Sequence, residues 1–162
     1  MINVRRSVFE TNSSSVHSIT FDGNCKNTLH VSCDGYVHVE LEDFGRCFHL
    51  YEDSHSKLAY LLLMVAHSNE IYFDGFDPEA TFESSAEELY CTSEFKQLEH
   101  DVKRFFASSS EPCNGIQVDE SYGHIDHQSL CYSSFSEWLE EMNIKSTYTF
   151  IFGNGVLITD GD

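Results

Sequence analysis

Residues 53–67, DSHSKLAYLLLMVAH, constrain the fold more than any other stretch of the chain. Asp53 or Ser54 is suited to cap a helix, which we expect to run to about His67. Its apolar residues leave little polar face: Leu58, Tyr60, Leu61, Leu62, Leu63, Met64 and Val65. Because a helix that is apolar nearly all round must be covered by other elements, the sequence predicts a largely buried helix packed against a sheet.

The remaining pattern alternates between strands and helices. Residues 36–41 place Val37, Val39 and Leu41 on one face, which is typical of a half-buried antiparallel strand. Shorter strands are expected at residues 28–32, 70–73 and 115–118, and a terminal hairpin at residues 148–152 and 156–159.

Three further helix starts have recognisable signals. Ser84 and Ser85 precede two glutamates, a stretch from Ser93 carries a 3-4-3 apolar stripe, and Ser134 is suited to cap a last helix. The sequence therefore predicts one α+β domain over residues 1–162, with an antiparallel or mixed β-sheet and two to four helices packed mainly on one face.

A dense polar cluster lies within residues 4–21, VRRSVFETNSSSVHSITF, between two runs suited to strands. A period of two places His17 on the same face as Ile19 and Phe21, the expected core face. One interpretation is a serine-rich hairpin turn with a buried, hydrogen-bonded histidine. The other is a site, in which Glu10 and His17 are catalytic and an anion is bound by Arg6, Asn12, Ser13, Ser14 and Ser15. Anion binding is favoured over a serine nucleophile, since no local base or oxyanion site is evident.

Three segments, FETNSSSVHS, HIDHQS and FIFGNGVLITDGD, begin at Phe9, His124 and Phe150. They resemble the N-terminal FETNSSSxHS motif, the central YIDHQS-like segment and the C-terminal TGNDN-like ending of an uncharacterised family of small phage and Firmicutes proteins. The resemblance spans nearly the whole chain, which implies one complete family member encoded by a phage and located in the cytoplasm of its bacterial host. It implies no particular reaction. His124 replaces the usual Tyr, and the Asp-Gly-Asp ending leaves the role of its carboxylates open.

Two further groups are candidates for chemistry. Asp126 and His127 belong to the family-like segment, and His127 is suited to act as a base near neutral pH. Together with Glu10, His17, Asp160 and Asp162 they would suit acid–base work or a divalent metal if they converged. Cys113, His124, His127 and Cys131 are also four zinc-type ligands. Three of them follow the spacing H-x-x-H-x-x-x-C, whereas the spacing from Cys113 is irregular, and the alternative is a loop with ordinary surface histidines.

The charge limits the choice of partners. Nine basic and 27 acidic residues give a net charge of −18. Duplex nucleic acid and anionic membranes both require a basic surface, so neither is an expected partner. The acidic surface suits a basic protein surface, such as that of a host nucleic-acid-binding protein, the alternative being that the charge serves solubility alone. We also expect no membrane span, no signal peptide and reduced cysteines, as in a cytoplasmic protein.

Two functions of different class remain open. The first is a small phage-type enzyme or ligand-binding domain, with a polar site that joins the ETNSSSVH loop to the HIDHQS loop and accepts a phosphate-containing or other anionic ligand. The second is an acidic mimic of nucleic acid that inhibits a host defence protein by protein–protein binding, as some anti-CRISPR proteins do. Whether the chain is an enzyme is not decided by its sequence.

Overall fold

The computed structural model describes residues 16–21, 23–45, 47–73, 75, 81–125, 132 and 134–160. The helices within these residues are α1 (Ser54–Ser68), α2 (Phe82–Cys91), α3 (Ser93–Ser108), α4 (Phe135–Glu141) and α5 (Thr147–Phe152). The strands are β1 (Val16–Thr20), β2 (Tyr36–Val39), β3 (Asp43–Phe44), β4 (His49–Tyr51), β5 (Gly115–Val118), β6 (His124–Ile125) and β7 (Val156–Asp160). The predicted α+β class is confirmed, although the described residues contain five helices rather than two to four.

The strands form one antiparallel sheet and two short parallel pairs. The sheet has the order β1-β7-β4, so β7 bonds to a neighbour on each side. The parallel pairs are β2 with β5 and β3 with β6. The long connections between the paired strands contain helices, which is what parallel pairing requires.

Helix α1 is the centre of the core, as its sequence predicts. Asp53 is the N-cap, and its side chain accepts a hydrogen bond from the backbone N–H of Ser56 at 2.8 Å. Every residue from Ser56 to Ala66 is buried. No described helix combines the length and hydropathy that a membrane span needs.

Three strand predictions are wrong in pairing or extent. β2 is parallel to β5, not antiparallel to a hairpin partner. Residues 28–32 form no strand, because the backbone N–H groups of Thr28 and Leu29 bond to the Ser54 hydroxyl oxygen instead. In the predicted strand 70–73, only Phe73 forms a bridge, with Gly123.

The predicted terminal hairpin is also wrong. Its first half lies in helix α5, where Ser146 is the N-cap and accepts a hydrogen bond from the backbone N–H of Thr149. Phe150 and Ile151 are fully buried, so tertiary packing overrides the strand propensity of this aromatic and β-branched run. The second half is β7, which pairs with β1 and β4.

The remaining helix predictions agree with the structure at their starts. α3 begins at Ser93 as expected, and α2 begins at Phe82, two residues before the predicted serines. Ser134 caps α4 by accepting a hydrogen bond from the backbone N–H of Glu137, but α4 is followed by α5 and is not the last helix.

Candidate functional site

His17 is the one predicted catalytic residue within the described part of the chain. It lies on β1, is 9% exposed, and its Nδ1 atom is 2.8 Å from the hydroxyl oxygen of Tyr60 on α1. Burial raises the pKa of Tyr60 far above its ordinary value, so the hydroxyl keeps its proton. With Tyr60 as donor, Nδ1 is the acceptor and a neutral His17 ring carries its proton on Nε2. The prediction that His17 faces the core is confirmed, whereas Phe21 is 39% exposed beyond the end of β1.

Tyr60 lies in a cluster of aromatic side chains that come from five elements, including its own helix α1. Its ring centre is 5.0 Å from that of Phe44 and 5.7 Å from that of Trp138, while Phe44 lies 4.9 Å from Tyr51. We call His17, Phe44, Tyr51, Tyr60 and Trp138 the Tyr60 cluster. Edge-to-face and tilted ring pairs of this kind stabilise one arrangement of the rings, so the cluster fixes the position of His17.

The antiparallel register places two histidines on either side of one threonine. His17 on β1 and His49 on β4 are both direct partners of Thr159 on β7. Side chains of directly opposed residues share a face, so all three lie in one row. Thr159 is fully buried and its hydroxyl donates to the backbone oxygen of Cys47 at 3.1 Å, while His49 is exposed. This row therefore runs from the interior at His17 to the surface at His49.

The central family-like segment begins beside the same cluster. Ile125 on β6 is buried and is the parallel partner of Phe44. His124 is half-buried and is the partner of Asp43. After residues 126–131 the described chain resumes at Tyr132, which packs against the core and contributes to the raised pKa of Tyr60. The described start of the segment and the first described residue after it are therefore both near the Tyr60 cluster.

The other predicted site residues lie outside the described residues. These are Arg6, Glu10, Asn12, Ser13, Ser14, Ser15, Asp126, His127, Cys131 and Asp162. Asp160 ends β7, where it is the register partner of Val16. The start of β1 and the end of β7 are therefore at the same end of the sheet.

The predicted zinc ligands are described only in part. Cys113 comes just before β5, and its thiol donates to the backbone oxygen of Gly115 at 3.6 Å. Burial raises the pKa of this thiol, which disfavours the thiolate that zinc requires. Within the part of the chain that the structure describes, no three His, Cys, Asp or Glu residues are arranged to hold a metal ion. The predicted set, with His127 and Cys131 outside that part, remains a prediction.

The sequence does not reveal a charge triad that is formed by Asp34, His38 on β2 and Asp119. His38 Nδ1 lies 2.6 Å from an Asp119 oxygen, and its Nε2 lies 2.8 Å from an Asp34 oxygen. Hydrogen bonds first to Asp119 and then to Asp34 raise the pKa of His38. Since only an imidazolium can donate from both ring nitrogens, the triad favours the charged ring. The signal was the position of His38 four residues after Asp34, but Asp119 comes from a distant segment.

Lys57 was also missed. It is fully buried in the first turns of α1, and its ammonium donates to the backbone oxygens of Gly155 at 3.0 Å and Gly153 at 3.3 Å. The Cys25 sulfur is 3.6 Å away. Burial lowers the pKa of Lys57. Its contacts tie α1 to the connection between α5 and β7, so its role is to hold the core together.

No protein-family model, curated protein sequence or solved structure matches this chain. The case for a function therefore depends on the chemistry of its own residues and their positions.

Proposed function

We propose that the chain is a small phage-type ligand-binding domain or enzyme whose site joins the ETNSSSVH and HIDHQS segments. Its ligand is phosphate-containing or otherwise anionic. The observation that carries the proposal is the 2.8 Å contact between His17 and Tyr60, because Tyr60 belongs to the cluster beside which the HIDHQS segment also begins.

The topology supports a meeting of these segments. Ser15 is bonded directly to Val16 at the start of β1, and Asp126 is bonded directly to Ile125 at the end of β6. His17 and the Ile125 partner Phe44 both contact Tyr60. Two polar segments that are far apart in sequence are thus tethered to one rigid aromatic cluster, as a preorganised site requires.

The residue types favour an anion over a cation as the ligand. Serine and asparagine side chains and backbone N–H groups donate to phosphate or carboxylate oxygens, and Arg6 adds a bidentate donor. In a chain of net charge −18, an anion binds only where such donors are concentrated. Glu10, Asp126 and His127 are the candidates for proton transfer, whereas the buried His17 positions the polar segment that ends at Ser15.

The test is ligand binding by variants that leave the aromatic cluster intact. Wild-type protein is screened by thermal shift against inorganic phosphate, nucleoside monophosphates and sugar phosphates. Arg6→Gln, Asn12→Ala and Ser14→Ala are expected to keep the wild-type unfolding midpoint and to lose the ligand-induced shift. Lys26→Gln removes a cation and Asn154→Ala removes an amide at exposed positions elsewhere, so these two variants serve as controls.

A shift that survives in all three site variants would contradict the proposed site. No shift of the wild-type protein with any phosphorylated probe would contradict the anionic ligand. Turnover of the bound probe would identify an enzyme, and binding without turnover a ligand-binding domain.

The net charge of −18 favours a second candidate function, an acidic inhibitor that occupies the nucleic-acid groove of a host defence protein. The probe is an RNA-guided bacterial nuclease, with duplex DNA as competitor. For this function, binding weakens steeply with salt, is displaced by DNA, and survives replacement of His17 and His127. Binding that ignores salt and DNA would rule this candidate out.

A further inference from the structure

An open cavity of about 490 Å³ lies between α3, α4 and the start of α5. None of its lining residues belongs to the Tyr60 cluster. Its volume is in the range of small-molecule sites in proteins, about 300–1,000 Å³. Three features of its wall define the chemistry of a ligand: two acids, of which one is buried and the other is the half-buried Glu94, two cations and an apolar side.

The buried acid is Asp101 on α3, which is 3% exposed. One of its oxygens accepts a hydrogen bond from the Thr147 hydroxyl at 2.5 Å, and the other accepts from the Gln97 side-chain amide at 3.3 Å. Both donors are neutral, and no Lys, Arg or His in the described part of the chain forms an ion pair with this carboxylate. Buried carboxylates are usually paired with a cation, so Asp101 is suited to accept one from a ligand.

The cations are Arg104 and Lys145, both exposed at the rim of the cavity. The Arg104 guanidinium carbon is 3.8 Å from the ring centre of Tyr148, within the range of a cation–π contact. The guanidinium N–H groups suit a carboxylate. Neither cation forms an ion pair with an acid among the described residues.

The apolar side consists of Phe135, Leu139 and Ile144, from α4 and the connection to α5. A ligand that satisfies all three parts of the wall carries one positive group, one negative group and an apolar side chain. We propose that the cavity binds a free α-amino acid with an apolar side chain, such as leucine or phenylalanine. Its ammonium group pairs with Asp101, its carboxylate with Arg104 and Lys145, and its side chain packs on the apolar side.

The test is calorimetric titration of the full chain with L-leucine and L-phenylalanine up to about 10 mM. Leucine amide lacks the carboxylate and 4-methylpentanoate lacks the amine, so each is expected to bind at least about tenfold more weakly than leucine, because each loses one charge-assisted contact. Asp101→Asn should weaken the binding of leucine by about tenfold and leave the binding of 4-methylpentanoate unchanged. Arg104→Gln should weaken the binding of leucine and leave the binding of leucine amide unchanged.

Lys103→Gln is the matched control, because Lys103 is on the same helix but pairs with Glu99 and does not line the cavity. If Asp101 served only to tie α3 to α5, Asp101→Asn would lower the unfolding midpoint and no amino acid would bind the wild type. That result, or equal binding of leucine by wild type and Arg104→Gln, would overturn the proposal. Arg104 is exposed, so its variant remains informative even if Asp101→Asn fails to fold.

Discussion

The Nδ1 atom of His17 and the hydroxyl oxygen of Tyr60 lie 2.8 Å apart in the interior, although 43 positions separate the two residues in the chain. This contact joins β1 to α1, the central helix of the core. It gives the polar segment before Val16 a fixed point inside the protein, and its strength can be measured without any ligand.

Tyr60→Phe is expected to lower the free energy of unfolding by about 1–3 kcal/mol, because the buried His17 ring loses a hydrogen-bond partner. Urea melts beside wild type provide the measurement. Tyr122→Phe removes the same atom from a residue that is 75% exposed, and should change stability by less than about 0.5 kcal/mol. Identical melts for the two variants would mean that the His17 contact contributes nothing to the fold.

Asn12→Ala separates the two interpretations of the serine-rich segment. If Asn12 forms the turn, its replacement should lower the free energy of unfolding by roughly 1–3 kcal/mol, because its partners lose hydrogen bonds. If Asn12 serves a ligand instead, the variant should melt within about 0.5 kcal/mol of wild type, which is what we expect. Clear destabilisation by both Asn12→Ala and His17→Ala would leave the segment with a structural role only.

Lys57→Met should destabilise the protein by about 2 kcal/mol, because the backbone oxygens of Gly153 and Gly155 lose charged donors inside the core. Methionine fills a similar volume, so the loss reports the hydrogen bonds rather than a cavity. Lys26→Met is the control, at a side chain that is 73% exposed. Thermal and urea unfolding of both variants measure the difference, and a Lys57→Met protein at least as stable as wild type would show that burying the ammonium costs as much as its bonds contribute.

The His38 triad is expected to stabilise the protein within a limited range of pH and to lose its effect at both higher and lower pH. The folded pKa of His38 is raised above 6.5, so its contribution is fully present below pH 6.5 and is lost as pH rises through the higher folded value. The pKa of Asp34 is lowered below 3.8, chiefly by a hydrogen bond from the Tyr36 backbone, so its contribution is present above pH 3.8 and is lost as pH falls through the lower folded value. The stability difference between wild type and His38→Gln should therefore be largest near pH 5 and smaller at pH 9 and pH 2, measured by urea melts at each pH. A difference that is flat across this range would contradict the triad.

Any zinc that the protein binds is expected to involve at least two of Cys113, His124, His127 and Cys131. Elemental analysis of untagged protein measures the metal directly, and less than about one-tenth of an equivalent would remove the prediction, because structural zinc binds tightly. His127→Gln with Cys131→Ser should release the metal. Cys33→Ser changes an exposed thiol outside the predicted set and should retain it.

Duplex DNA is expected to show no measurable affinity at physiological salt, since a net charge of −18 repels phosphate. A gel-shift titration to micromolar protein is the measurement. A clear shift that diminishes with salt would reveal a basic patch among residues such as Arg5, Arg6 and their neighbours.

The parts of the fold that could be predicted are those set by local chemistry. Asp53 as an N-cap and the apolar run that follows it define α1 without reference to the rest of the chain. Pairing could not be predicted in the same way, because alternation in residues 36–39 indicates a strand but not its partner. The α5 segment has strand-like residues and becomes helical only because Phe150 and Ile151 are buried in the core.

In the candidate site, too, the sequence indicates single residues but not the contacts between residues that are distant in the chain. The resemblance and the polar composition pointed to His17, but nothing local connected it with Tyr60. Nothing in the sequence distinguishes Asp101 in α3 from the other acidic residues, of which the chain has 27 in all. Its importance depends on burial, which the sequence does not reveal. Polar residues in a core are thus hard to identify when their partners are distant in sequence.

The position of β7 between β1 and β4 affects how the chain acquires its structure on the ribosome. β1 and β4 are synthesised long before residues 156–160, and neither can complete its ladder until that segment has left the exit tunnel. Until then, the nascent chain exposes strand edges and the apolar surface of α1, both of which promote aggregation. Closure of the sheet is therefore a late step in the folding of the nascent chain.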